Sequence, residues 1–362
     1  MTMLFSKTKA LGGALALLAG KTGAMQVQAE DIMLRLSTHH PSTSPEIGLI
    51  IEPMKQRVES GTGGAVKIEV YPNAMLNGPK DAFKALVTDI ADIAPTYPVY
   101  QARSFQLNHA TSLPQAFPNV YAGMRINEEL YQEFYKAEWD KMGVHPLFYA
   151  VTGTYDLLTT RPVERLSDLE GMKIRAAGGV MNDIVSKLGA NPVSIPISEA
   201  YTAFQQGVID GIILGVSNMV SYRLDEIGKY YVPLGLTRTA IPWSISPAAF
   251  AKLTPEQQEV LFDASREATI NYADRYVAED EKALATLAER GIRTVEFPKA
   301  DHEQIAVLLE PLWQEFIAEH GAQAEAMVKA LRKKVGAYGA MDRETFVRLQ
   351  REQPVQGMMP PR

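Results

Sequence analysis

The sequence predicts an α/β protein of two lobes, with mostly parallel sheets and one long helix lying along both. Three observations predict it. A strand–helix–strand–helix–strand run lies between Met33 and Ala94, the same grammar restarts between Met172 and Gly215, and a helical stretch without Pro or Gly runs from Glu256 to Arg290. Alternating strand and helix signals mark βαβ units and a parallel sheet. The length of 362 residues gives each lobe enough chain for its own core.

The first 29 residues stand apart from this pattern. Lys7 and Lys9 precede a small apolar run, Ala10 to Gly20, and a polar stretch then ends in Val27-Gln28-Ala29. A basic region, a short apolar core and a small-x-small site are the layout of a secretory signal. The apolar run is too short for a bilayer, which needs about 20 residues. Removing residues 1–29 takes away Lys7, Lys9 and Lys21 and no acid, so the formal charge moves from −6 to −9.

In the first lobe, Met33-Leu34-Arg35-Leu36 reads as a strand running into Ser37-Thr38-His39-His40-Pro41. Ile47, Ile50, Ile51, Met54 and Val58 then recur at helical spacing, and Pro53 should kink or split that helix. Gly61-Thr62-Gly63-Gly64 stops it, and Val66 to Val70 alternates as a strand with one buried face. Phe83, Leu86, Val87 and Ile90 mark a helix, with a buried strand over Ile90 to Ala94. Phe148 to Thr160 reads as a strand shared by both halves. In the second lobe, strands are expected over Met172–Ala176, Pro192–Ile197 and Asp210–Gly215. Between them lie a helix through Val180, Ile184, Val185 and Leu188 and another that Ser198 can cap. Thr254-Pro255-Glu256-Gln257 is a capping box with Pro at the first helical position. The helix it opens would be roughly 54 Å long at ~1.5 Å per residue. Asp301 and Gln304 start a further helix bearing Ile305, Leu308, Leu309, Trp313 and Phe316, and the chain after Gly339 has no period. The expected organisation is a signal at 1–29 and a first lobe of 30–153 plus about 241–253. A second lobe takes 154–240 plus about 292–320, the long helix 254–291, and a C-terminal helix and loose tail 321–362.

Composition narrows the function. Net acidity, a pI near 5.7 and the lack of a Lys/Arg block argue against nucleic-acid binding. Zero Cys removes thiolate chemistry, iron–sulfur clusters and disulfides, so an exported chain must hold together by packing. The glycines at 61–64 follow a helix and precede a strand, the reverse of a phosphate-cradling order. No Walker A, Gly-x-Ser-x-Gly or His-Glu-x-x-His occurs, and no cofactor or metal is expected. Adjacent residues on an extended chain point to opposite sides, so His39 and His40 are poorly placed to share a metal, although one could line a pocket. In open α/β sheets ligands bind beyond the carboxyl ends of strands, which nominates the histidines, Tyr97 and the stretch from Leu214 to Ser217. Arg175 sits in Gly171-Met172-Lys173-Ile174-Arg175-Ala176-Ala177, where alternation sets it opposite Met172, Ile174 and Ala176. A guanidinium there needs a partner, either a protein carboxylate or one from a ligand, and spacing does not choose.

Several segments together resemble the TRAP-transporter substrate-binding proteins of the DctP family. They are Leu34-Arg35-Leu36-Ser37 with Pro41, Ile68-Glu69-Val70-Tyr71-Pro72 with Leu76-Asn77-Gly78, and Leu113-Pro114. To these add Leu166-Ser167-Asp168-Leu169-Glu170-Gly171-Met172-Lys173-Ile174-Arg175, Leu188-Gly189-Ala190-Asn191-Pro192-Val193, and the stretch from Glu199 through Ala203-Phe204-Gln205-Gln206-Gly207 to Gly211. The resemblance covers roughly residues 31–335. It implies a periplasmic-binding-protein-like fold whose two lobes close on a small organic acid and deliver it to a membrane permease. It also implies that Arg175 is the carboxylate-binding arginine. Many relatives that bind acidic sugars or dicarboxylates carry a second Arg at the position of Tyr155 and an Asn near that of Leu214. A phenol and an isobutyl group there suit a monocarboxylate with an apolar or aromatic body better than a dicarboxylate or a sialic acid. Thr88 stands where the family usually has Gly. The expected protein is therefore a periplasmic receptor, not an enzyme, whose partners are the acid and the membrane subunits. Arg175 clamps the carboxylate, and Tyr97, Tyr155 and Trp243 form aromatic walls, although each could instead be core. An ABC-type binding protein and a periplasmic hydrolase or lyase are the alternatives; the long helix favours the first reading.

Overall fold

The computed structural model describes residues 31–101 and 103–359, so the expected signal at 1–29 lies outside the described residues. In chain order the first strands are β1 (Ile32–Ser37), β2 (Val66–Tyr71), β3 (Ile93–Pro95), β4 (His145–Val151) and β5 (Tyr155–Thr159). The remainder are β6 (Lys173–Ala176), β7 (Asn191–Ser194), β8 (Gly211–Gly215), β9 (Tyr230–Val232), β10 (Ala240–Ile245) and β11 (Arg293–Thr294). They form two sheets, one of order β2-β1-β3-β10-β4 and one of order β11-β9-β5-β8-β6-β7. Within each, the strands of the βαβ runs are parallel: β1 with β2 and β3, and β6 with β7 and β8. β10 and β5 run antiparallel to their neighbours.

Those antiparallel strands are where the chain changes lobe. The expected shared strand over 148–160 is two strands, β4 in the first sheet and β5 in the second, split at Thr152-Gly153-Thr154. Each sheet twists, and a strand straight enough for both would leave one of them unpaired. The return crossing from β9 to β10 runs alongside. The amide of Thr152 donates to the Thr239 carbonyl at 3.0 Å and that of Tyr155 to the Thr237 carbonyl at 2.8 Å. Two hydrogen-bonded crossings and the long helix join the lobes.

Local chemistry explains most elements. Pro53 splits the expected helix into a π-helical turn, Ile47–Ile51, and an α-helix, Glu52–Gly61, because a proline is tolerated only in the first turn. Gly63 and Gly64 then turn with φ of 60° and 85°. Thr88 has φ −108°, an ordinary conformation that needs no glycine, and its hydroxyl donates to the Lys84 carbonyl at 2.8 Å. Ser198 caps nothing: its helix, Ile197–Gln205, starts after Pro196, one residue too early for Ser198 to be outside it. The Pro255–Glu289 helix opens with both capping-box bonds, from the Gln257 amide to Thr254 Oγ1 and from the Thr254 amide to Gln257 Oε1. It packs on β4 and the 52–61 helix of one lobe and on the Val216–Ser221 helix and β11 of the other.

The C-terminal region departs from expectation. Lys299–Leu309 and Pro311–Tyr338 meet at Glu310, whose backbone stays helical, and Gly321, with φ 71° and ψ −155°, breaks the second span in two. The expected loose tail is instead a helix, Arg343–Glu352, capped by Asp342 and followed by a packed turn. Phe346, Gln350 and Met358 are wholly buried, and Arg125 Nη1 donates to the Gln353 carbonyl at 2.8 Å. Its few anchors are spaced too widely to show as a period. No helix among the described residues is long and apolar enough to cross a membrane.

Candidate functional site

The carboxyl ends of β1, β3, β6 and β8 converge on one chamber between the lobes. Its walls include five tyrosines, Tyr97, Tyr100, Tyr155, Tyr222 and Tyr276, together with His39, His40, Leu214 and Arg175. The cavity is small, about 50 Å³. Other, larger clefts lie on the molecule, but none of them is reached by Arg175.

Arg175 is 2% exposed and projects from the middle of β6, paired in register with Val193 and Ile212. Its Nε donates to the Ile195 carbonyl at 2.9 Å, and its Nη2 lies 3.4 Å from the Tyr100 hydroxyl. Among the described residues no carboxylate lies within ion-pair distance of it, which removes the internal ion pair left open by spacing. A buried guanidinium held by neutral oxygens alone keeps its strongest bonding capacity, a planar fork for a carboxylate, unspent.

His39 and His40 both line the chamber, contrary to the expectation of opposite sides. β1 ends at Ser37, and the following chain is bent by bonds from the Asn73 amide to the His40 carbonyl and from the Ala74 amide to the Thr38 carbonyl. Strand alternation therefore stops before the histidines, and their rings sit 4.4 Å apart. Burial holds the pKa of His39 well below that of free imidazole, with His40 adding to the effect. Burial also lowers His40, where Glu46 pulls upward and Arg275 reinforces the drop. Both rings are neutral at pH 7. Burial raises the phenols of Tyr97 and Tyr222 far above their ordinary range, so they stay protonated. Among the described residues no cluster of three or more His, Asp or Glu could hold a metal.

Two nominated residues lie elsewhere. Trp243 is in the core of the first lobe, stacked on Phe148 at 5.9 Å and edge-on to Tyr272 at 6.3 Å. Its position within β10 points it at the long helix, whereas Ile241 of the same strand reaches the chamber. Ser217 precedes Asn218 on the Val216–Ser221 helix but does not line the chamber; its amide is bonded to Asp280, and it borders an outer cleft instead. Sequence reasoning missed Tyr100, Asn218, Tyr222, Thr239 and Tyr276. Tyr100 follows Tyr97 by one 3-10 turn, Pro98–Tyr100, a spacing that returns the side chain to the same side. Tyr272 and Tyr276 lie one turn apart on the long helix, and only Tyr276 lines the chamber, a distinction their spacing does not carry.

Comparison with known proteins fits this geometry. The family model for bacterial extracellular solute-binding proteins, family 7 (DctP), matches residues 36–320. The C4-dicarboxylate-binding periplasmic protein DctP of Rhodobacter capsulatus is 26% identical over 308 residues, covering 83% of this chain and 91% of that protein. A marine-metagenome TRAP solute-binding protein specific for aromatic acid ligands, solved with 3-hydroxybenzoate, superposes with TM-score 0.79 at 20% identity, over 85% of this chain and 99% of its own. A TRAP solute-binding protein of Bordetella bronchiseptica with bound (R)- and (S)-mandelate gives 0.77 at 25% identity, over 84% and 99%. The family consists of receptors rather than enzymes, which sets aside the hydrolase or lyase reading, and its TRAP relatives set aside the ABC-type one. With the family pattern matched across both lobes, this chain belongs to the family 7 bacterial extracellular solute-binding proteins, the DctP-type receptors of TRAP transporters.

Proposed function

We propose that this receptor binds an apolar or aromatic monocarboxylate in the periplasm, grips it through Arg175 and delivers it to the membrane subunits of a TRAP transporter. One observation carries the reading: a buried guanidinium with no carboxylate partner among the described residues faces a chamber walled by tyrosines. In this reading Arg175 takes the carboxylate and Tyr97, Tyr100, Tyr155, Tyr222 and Tyr276 pack the body. His39 and His40 supply neutral polar edges, and Leu214 supplies apolar surface. A second carboxylate would enter without a cation to meet it, a desolvation that costs several kcal/mol. That the metagenome and Bordetella relatives hold a hydroxybenzoate and mandelate supports an aromatic body. The Rhodobacter relative, a dicarboxylate binder, supplies the contrast.

A thermal-shift screen of benzoate, phenylacetate, 3-hydroxybenzoate, mandelate, succinate, malate and a sialic acid tests the proposal. A ligand at a hundred times its Kd stabilises the native state by about 2.7 kcal/mol. Aromatic monocarboxylates should give the largest shifts. A largest shift from succinate, malate or the sialic acid overturns the reading, and mass spectrometry of acid released on denaturing freshly purified protein checks it independently.

A further inference from the structure

Behind the chamber wall formed by His40 and Tyr222 lies a buried charge pair that the clamp does not use. Glu46 is wholly buried, and Arg275 of the long helix is nearly so, with its Nη2 3.1 Å from Glu46 Oε1. Arg275 also lies over the Tyr276 ring at 4.5 Å. Ser44 donates its hydroxyl to the other Glu46 oxygen. Burial alone would raise the pKa of Glu46. Its neighbours bring it below the ordinary value, and with His40 neutral it is the permanently charged Arg275 and the Ser44 bond that keep Glu46 a carboxylate.

This carboxylate biases the proton of His40 toward the nitrogen that faces it. Nδ1 lies 3.8 Å from Glu46 Oε1 and 3.3 Å from the Tyr222 hydroxyl. The negative charge of Glu46 favours the tautomer with the proton on Nδ1, where the Tyr222 hydroxyl can accept a hydrogen bond from it, and in that tautomer the other nitrogen is a lone-pair acceptor. That other nitrogen, Nε2, is buried in a side chain that lines the chamber, and no described protein group bonds to it. Arg175 stands on the opposite lobe with only donors to offer.

We infer that His40 is a specificity-determining residue: its Nε2 accepts a hydrogen bond from a hydroxyl group of the bound acid, which makes the ligand class hydroxylated monocarboxylates rather than plain ones. This rests on the proposed function above. The chamber is then polar at two ends with opposite demands, an anion at Arg175 and a hydrogen-bond donor at His40, and aromatic between them. A site built to bond a hydroxyl discriminates strongly against the analogue that lacks it, because the bare acceptor stays desolvated and unpaired.

The test compares matched acids on the same protein by titration calorimetry. Benzoate is set against its 2-, 3- and 4-hydroxy derivatives, and phenylacetate against mandelate, for the wild type, His40→Phe and His40→Gln. The wild type should prefer at least one hydroxylated acid by about tenfold or more over its parent. In His40→Phe that ratio should fall to within about twofold, while His40→Gln, whose amide oxygen can accept at the same place, should recover part of it. Because the readout is a ratio between two ligands, a general loss of affinity in a variant cancels. A wild type that binds the parent acids without preferring any hydroxylated one overturns the role of His40 and leaves the proposed function standing. So does a preference that persists in His40→Phe. A wild type that binds none of these acids overturns the proposed function, and the role of His40 with it.

Discussion

Arg175 and Tyr100 meet across the cleft, with the Nη2 of the guanidinium 3.4 Å from the phenolic oxygen. Arg175 belongs to the sheet of β5 to β9, and Tyr100 follows β3 of the other sheet. The separation is at the long end for a hydrogen bond, so little is lost when it is exchanged for something better. A carboxylate accepting from both the guanidinium and the phenol would replace one weak contact with charge-assisted ones, each roughly twice as strong as a neutral bond. The two donors belong to different sheets, so a carboxylate held by both would favour an arrangement in which the lobes stay together.

Arg175→Ala should weaken binding of an aromatic monocarboxylate by about tenfold to hundredfold, the range that a charge-assisted pair of ~1.5–3 kcal/mol implies. Arg175→Lys should fall between, because it keeps the charge and loses the fork. Calorimetry on both variants, with circular dichroism to confirm the fold, checks this. Affinity for Arg175→Ala within about threefold of wild type would exclude the clamp.

What the sequence made legible, and what it hid, follows from how far each signal reaches. Pro53, the Thr254–Gln257 box and the glycines at 63 and 64 act within one turn of chain, and each appears where local rules put it. Arg175 was legible because a cation in an apolar strand contradicts its surroundings. Tyr222 and Tyr276 were not, since a tyrosine on an amphipathic helix reads the same whether it faces core or chamber. His39 and His40 were misjudged because the bend after β1 is imposed by bonds to the residues after β2, more than thirty positions away. Trp243 was drawn to the site by its aromaticity, yet it shares a face of β10 with Ile241 and lies two residues, about 7 Å, further from the chamber that Ile241 lines.

A second buried pair ties the C-terminal helix to the first lobe. Arg266 Nη1 lies 2.7 Å from Glu128 Oε1, and Gln350 Nε2 donates to the other carboxylate oxygen at 2.9 Å. Removing one member of such a pair leaves an uncompensated buried charge, which costs about 3–5 kcal/mol. Arg266→Met should therefore destabilise by that amount in denaturant unfolding. The double variant Glu128→Leu with Arg266→Met should recover most of it, because apolar replacement of the whole pair is often neutral. A double variant no better than the single would mean that Arg266 acts through packing rather than charge.

Asp156 faces the core from β5, and among the described residues no cation pairs with it at ion-pair distance. It accepts from the Tyr231 hydroxyl at 2.7 Å and the Gly235 amide at 2.8 Å, but burial dominates and raises its pKa from 3.8 to about 6. A carboxyl whose folded pKa is raised binds its proton more tightly in the native state. Its contribution is complete below pH 3.8 and is lost as pH rises through about 6. The loss approaches about 3 kcal/mol, at 1.36 kcal/mol per pKa unit. His109 and His145, both lowered by burial to about 4, work the other way by destabilising the fold as pH falls. The difference between wild type and Asp156→Asn isolates the aspartate. Relative to wild type, the variant should gain stability between pH 4 and 6.5, with a flat difference above that window. A difference that does not change across the window would refute the buried, proton-hungry carboxyl.

Ligand binding should make the molecule more compact, and Gly179 is the place where closure can be obstructed. The two crossings between the lobes run side by side through Thr152 and Thr239, a narrow joint about which the sheets can rotate. Across from that joint, Gly178 and Gly179 follow β6 and press against the first lobe. A Cβ on Gly178 would lie 3.5 Å from the Val99 carbonyl, and one on Gly179 would lie 2.9 Å from the His109 ring. Gly179 also has φ 51° and ψ −138°, a conformation that L side chains rarely adopt. Gly179→Ala thus inserts a methyl group into the closed contact and strains the turn that delivers it, while an open arrangement relieves the first of these. Small-angle scattering of wild type should show a smaller radius of gyration with saturating aromatic acid than without it. Gly179→Ala should show a reduced contraction and several-fold weaker binding. Identical wild-type curves with and without ligand, in samples where calorimetry confirms binding, would mean that the chamber fills without lobe movement. In that case the Arg175–Tyr100 contact would be permanent rather than exchanged.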